Sequence, residues 1–133
     1  MTAQYRVLVV DDNEPTRLLI ARILTQELPV AVTLAGSAEE AKQQIRDTRF
    51  DVILLDLLMP GMGGFELLSR IRSDSPNKST PVVVVSMLAR SMVGGETVSV
   101  ERAKTLGADA VVSKPVRRRA LVAAIRAQLR ANV

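Results

Sequence analysis

Residues 51–72 read D-V-I-L-L-D-L-L-M-P-G-M-G-G-F-E-L-L-S-R-I-R, and their order decides the fold. Residues 52–55 form an unbroken apolar run, the pattern of a strand covered on both faces. The run stops at Asp56, passes a Pro/Gly turn and resumes as residues 63–72. There Phe65, Leu68 and Ile71 return at helical spacing. A buried strand feeding an amphipathic helix is a βα unit.

The same unit repeats on both sides. Residues 5–10 are a Val-rich strand, followed by a helix over 14–26 with Pro15 in its first turn and Leu19, Ile20, Ile23 and Leu24 at helical spacing. Residues 30–34 are a second strand. Ser37-Ala38-Glu39-Glu40 has the form of a capping box and opens a helix to residue 46. Residues 81–85 are a valine strand, 99–106 a helix stopped by Gly107, and 110–113 a short strand. The last helix, 117–130, carries Leu121, Val122, Ile125 and Leu129 as its apolar stripe. No internal repeat is present, and Gly94-Gly95 breaks any helix within 89–98.

Five strands alternating with five helices predict an α/β fold: a doubly wound, five-stranded parallel sheet of order 2-1-3-4-5, with helices on both faces. The 133 residues fit one domain, 47% hydrophobic and without a span-length apolar run. With no Cys and no His, disulfides, thiolate or imidazole metal sites and Ser-His-Asp catalysis are excluded. The net charge of +4 comes from the C-terminal segment, where Lys114, Arg117, Arg118, Arg119, Arg126 and Arg130 occur with no acid. Only Tyr5, Phe50 and Phe65 are aromatic, so few surfaces exist for base stacking and no direct nucleic-acid binding is expected.

In this strand order ligands sit beyond the carboxyl ends of the strands, at the switch between strands 1 and 3. Asp11 and Asp12 follow strand 1, Asp56 ends strand 3, Ser86 follows strand 4 and Lys114-Pro115 follow strand 5. Each has an ordinary reading: Asp11-Asp12 a helix cap, Asp56 and Ser86 turn residues, Lys114 a solvated charge. Together they place three carboxylates, a hydroxyl and an ammonium at one rim. Three carboxylates so close repel, and a hard divalent cation with oxygen ligands, Mg²⁺, relieves them. A carboxylate flanked by such an ion and a lysine can accept a phosphoryl group.

Residues 7–12 as V-L-V-V-D-D, residues 51–72 as quoted, Gly107-Ala108-Asp109 and Lys114-Pro115 together resemble the receiver domain of bacterial response regulators. The likeness covers nearly all of 1–133 as a single flavodoxin-like receiver, with no output domain in the chain. It implies a cytoplasmic phosphorelay protein, not an enzyme and not inserted in a membrane. Asp56 is then the phosphoacceptor, loaded by a histidine kinase or histidine phosphotransfer protein. Mg²⁺ is held by Asp11, Asp12, Asp56 and the backbone carbonyl of Leu58. Ser86 and Lys114 bind the phosphoryl oxygens, and the Lys114-Pro115 peptide is cis. The output is a change in binding to a downstream protein target or effector domain.

Several residues depart from the family pattern. Val111 stands where an aromatic is common, Gly63 where Asp is frequent, and Met87 where a small residue is usual. Leu58 and Leu88 are apolar where polar residues help place a hydrolytic water, which implies slow autodephosphorylation. The 27 residues between Ser86 and Lys114 imply an extended, partner-facing loop around 89–98. The alternatives are a Mg²⁺-dependent aspartyl-phosphate phosphohydrolase, disfavoured because Leu58 replaces its second acid, and a phosphorylation-independent pseudo-receiver. Arg117–Arg119 oppose the dipole of the last helix, which calls for acidic compensation from a partner or from a second copy in a homodimer.

Overall fold

The computed structural model describes residues 4–59, 63–73, 75–87 and 100–131. In chain order its elements are β1 (Tyr5–Val10), α1 (Glu14–Glu27), β2 (Val30–Ala35), α2 (Ala38–Asp47) and β3 (Val52–Leu55). These are followed by α3 (Gly63–Ser73), β4 (Val82–Ser86), α4 (Val100–Thr105), β5 (Ala110–Ser113) and α5 (Arg118–Ala131). The strands form one sheet of order β2-β1-β3-β4-β5, every neighbouring pair parallel. This is the expected flavodoxin-like arrangement. Element ends differ from expectation by at most one residue, and those of β1, β3 and β5 coincide with it. β4 gains Ser86 and drops Pro81, which has no N–H to give to a ladder.

The pleat sorts the strand residues into two layers. Leu8, Val10, Ile53, Leu55, Val82 and Val84 face α2, α3 and α4, packing with Ala41, Ile45, Leu67, Leu68, Ile71 and Ala103. Val7, Val9, Val52, Leu54, Val83 and Val85 face α1 and α5, packing with Ile20, Ile23, Leu24, Leu121, Ile125 and Leu129. Alternate residues of one strand thus serve opposite cores, which is why the central strands are apolar throughout. Each such side chain contributes about 1.5–3 kcal/mol by burial.

Helix ends follow local chemistry. Ser37 accepts from the Glu40 N–H, but Glu40 reaches the N–H of Gly36 rather than that of Ser37, so the capping box closes one residue early. Gly107, at φ 113°, turns the chain after α4 through its N–H to the Lys104 carbonyl. Gly64 is needed for space: a Cβ there would collide with the Asp56 carbonyl oxygen and with Leu57 Cα. The start of α3 therefore rests directly on the backbone that follows β3. The cationic start of α5 finds an internal partner, because Arg118 bonds Glu27 and Gln26 at the end of α1, each at 2.9 Å.

Two polar side chains brace the connections. Arg72 of α3 donates to the carbonyls of Gly107 and Thr80 and pairs with Asp109 at 2.8 Å. Asn77, fully buried, donates to the carbonyls of Ile45 and Thr48 and accepts from the Phe50 N–H and the Thr80 hydroxyl. It joins the end of α2, the approach to β3 and the loop before β4. Asn77→Ala strands these buried groups together, so urea unfolding is expected to show a loss of about 3 kcal/mol. A loss below 0.5 kcal/mol would mean that water takes over the bonds.

Candidate functional site

The site lies beyond the carboxyl ends of β1, β3, β4 and β5. Asp11 leaves β1 buried, its N–H bonded to the Ala35 carbonyl and its Oδ1 accepting from the Asn13 N–H at 2.9 Å. Asn13, not Asp11 or Asp12, caps α1: its Oδ1 accepts from the N–H of Thr16 at 2.9 Å. The helix-cap reading of the two acids is therefore displaced, and the exposed Asp12 has no helix end to satisfy. Arg17 holds the Asp11 carbonyl at 2.8 Å and fixes the start of this turn.

Asp56 leaves β3 with only 5% of its surface exposed. Its Oδ1 accepts from the Leu58 N–H at 3.0 Å and from Ser86 Oγ at 2.7 Å. Its Oδ2 accepts from Lys114 Nζ at 2.9 Å. The turn-residue reading is thus half right, since Asp56 does close a short turn onto Leu58. Ser86, the last residue of β4, is fully buried and spends its hydroxyl on Asp56. The Lys114-Pro115 peptide is cis.

Lys114 lies between two acids, its Nζ also 2.9 Å from Asp11 Oδ2. Burial alone would lower the pKa of this ammonium. The Asp11 and Asp56 carboxylates outweigh that and hold it above the ordinary lysine value. The ammonium therefore stays charged through neutral pH, and its pairing energy is lost only as alkaline solutions pass the raised value. Among the described residues, Asp11 Oδ2 is buried yet accepts no well-directed hydrogen bond, and the nearby Lys114 ammonium compensates it.

One oxygen from each of Asp11, Asp12 and Asp56 lies within 4.8 Å of the others, a spacing that can hold a metal ion. Three carboxylates face one ammonium, leaving a formal deficit that a divalent cation would cancel. The oxygen-only donors and the under-bonded Asp11 Oδ2 suit a hard ion. Every side chain singled out at the strand ends, Asp11, Asp12, Asp56, Ser86 and Lys114, thus meets in one hollow. Sequence reading missed the supporting Asn13, Gly64 and Arg17. Of these, Asn13 had a signal in the N-cap preference for Asn.

Around the hollow, Leu58 is 37% and Met87 60% exposed, so Met87 projects outward. Val111 is half-buried against the α3-side core. Leu88 and the 89–98 segment lie outside the described residues. Among the described residues no helix is long and apolar enough to cross a membrane.

Comparison with known proteins agrees with this geometry. The family model of the response regulator receiver domain matches residues 7–126. The DNA-binding response regulator MtrA of Mycolicibacterium smegmatis is 34% identical over 131 residues, which cover 98% of this chain and 53% of that protein. A protein-glutamate methylesterase/protein-glutamine glutaminase of Bacillus licheniformis is 43% identical over 111 residues, 83% of this chain and 29% of that one. The chain thus spans about half, or less, of the length of these relatives. Among solved structures, a CheY-like receiver domain protein of Methanospirillum hungatei superposes with a TM-score of 0.82 at 28% identity, covering 97% of this chain and 96% of that one. Chemotaxis protein CheY4 of Vibrio cholerae gives 0.81 at 29% identity, over 96% of this chain and all of that one. Fold, strand-end chemistry and likeness converge: the chain belongs to the response regulator receiver domains of two-component signalling.

Proposed function

We propose that this receiver takes a phosphoryl group on Asp56 from a histidine kinase or histidine phosphotransfer protein and converts it into a change of partner binding. The observation that carries the reading is the pair of short contacts on one buried carboxylate, Ser86 Oγ at 2.7 Å and Lys114 Nζ at 2.9 Å. Both donors are positioned to pass from the carboxylate to the oxygens of a phosphoryl group attached to it. In the transfer, an Asp56 oxygen forms the new O–P bond while the donor's N–P bond breaks, and the imidazole leaves with its electron pair. Asp11, Asp12, Asp56 and the Leu58 carbonyl would hold Mg²⁺. When bound, that ion neutralises charge on the transferring group.

The modified Asp56 carries roughly two negative charges. Ser86 and Lys114 then have a stronger acceptor than a carboxylate, and the strand ends that carry them are drawn toward it. The product is a shifted surface rather than a released molecule, so the chain works as a switch and not as an enzyme. We assign residues 1–133 to one receiver unit, acting in the cytoplasm on a downstream protein or effector domain. Leu58 and Leu88 supply no polar group to a hydrolytic water, so the phosphorylated form is long-lived.

Acetyl phosphate with Mg²⁺ is expected to add one phosphate by intact mass to the wild type and none to Asp56→Asn. A gain in the Asn variant would move the acceptor elsewhere. Steady turnover of small phosphate esters would favour the phosphohydrolase reading. No gain in the wild type, even with a kinase, would favour the pseudo-receiver. In the wild type the adduct should outlast minutes by the same readout, and its loss within seconds would contradict the part given to Leu58 and Leu88.

Lys114→Met removes the internal counter-charge of two carboxylates. Without Mg²⁺ the variant should lose about 3 kcal/mol of stability. Its Mg²⁺ affinity should rise several-fold, because the ammonium no longer competes for Asp11 and Asp56. Titration calorimetry showing weaker Mg²⁺ binding would instead place the ion away from these acids.

A further inference from the structure

Phosphoryl chemistry leaves the charge of α5 unexplained. Among its charged residues this helix has four arginines, Arg118, Arg119, Arg126 and Arg130, and no acid. Arg118 is accounted for by Glu27 and Gln26. Arg119, Arg126 and Arg130 are exposed, and among the described residues none has an ion-pair or hydrogen-bond partner. Their spacing is i, i+7 and i+11. At 3.6 residues per turn this places all three within about 40° of arc, along about 16 Å of helix. Arg126 and Arg130, four apart, repel each other, which costs a helix a few tenths of a kcal/mol. Folding gains nothing from such a row.

The row borders a groove of about 310 Å³ between α1 and α5, lined by Glu27, Arg118, Arg119, Val122, Ala123 and Arg126. The exposed Ala123 and Ala127 lie beside the arginines, so a second backbone can come close. Guanidinium groups, weakly hydrated and fork-shaped, grip carboxylates bidentately. A nucleic-acid strand would also offer anions. But three contacts give little non-specific affinity, and the small side chains along the row offer no stacking face to bases. The face also lacks the large apolar residues with which an amphipathic helix enters a lipid surface.

We propose that the α5 arginine row and its groove dock an acidic helix of a partner protein, whose carboxylates at spacings of four and seven residues meet the guanidinium groups. The third helix lies along the seam of α1 and α5, with its acids toward Arg119, Arg126 and Arg130. This surface is separate from the Asp56 hollow and does not require phosphorylation.

A labelled synthetic helix bearing Glu at those spacings, and its Gln counterpart, serve as probes in anisotropy titrations with the full chain. The Glu peptide should bind, weaken steeply with salt, and lose at least five-fold in affinity with Arg119→Gln/Arg126→Gln/Arg130→Gln. Reaction of that variant with acetyl phosphate should be unchanged. Equal binding by the variant, equal binding of the Gln peptide, or no binding by the wild type overturns the proposal. So does tighter binding of a mixed-sequence DNA duplex than of the Glu peptide.

Discussion

Three carboxylates, two of them buried, cannot crowd one rim without counter-charge, and much of the molecule is arranged around that constraint. Asp11 and Asp56 are buried, and among the described residues the charge facing both is the ammonium of Lys114. The lysine supplies part of the counter-charge, yet one positive charge against three carboxylates leaves the hollow receptive to another. Stability and receptivity are set by the same imbalance.

The parallel sheet makes this crowding affordable. Its central strands are held on both faces by aliphatic side chains, so their ends are fixed to the accuracy of a packed core. Backbone bonds at the rim extend that accuracy by one residue: the Asp56 N–H donates to the Val10 carbonyl, and that of Asp11 to Ala35. Gly64 then lets α3 settle against the Asp56–Leu57 backbone, where any side chain would collide. The acids are close because the scaffold leaves them no alternative.

How much of this was legible in the sequence follows from where each signal lies. Strands such as 52–55 and 82–85 announce themselves by unbroken apolar runs, and the acids and lysine by ending them, so both the fold and the five site side chains were readable. Asn77 was not. Its four side-chain bonds run to residues 45, 48, 50 and 80, and no periodicity links a loop amide to such distant backbone. The same holds for Arg118 and Glu27, 91 positions apart, whose contact answers locally, for one of the three arginines at the start of α5, the demand for outside acid. Asn13 taking the cap from Asp12 was a contest between adjacent, equally suited residues, decided by the turn that Asp11 makes with the Asn13 N–H.

Ser86 is bonded on two sides at once. Its hydroxyl grips Asp56, while its carbonyl receives the N–H of Lys114, whose own ammonium returns to Asp56. The three residues form a closed loop of bonds across the tips of β3, β4 and β5, like a yoke over adjoining beams. Tension applied at any corner is felt at the other two. Whatever alters the reach of that one hydroxyl must also tug the peptide from which the final helix departs.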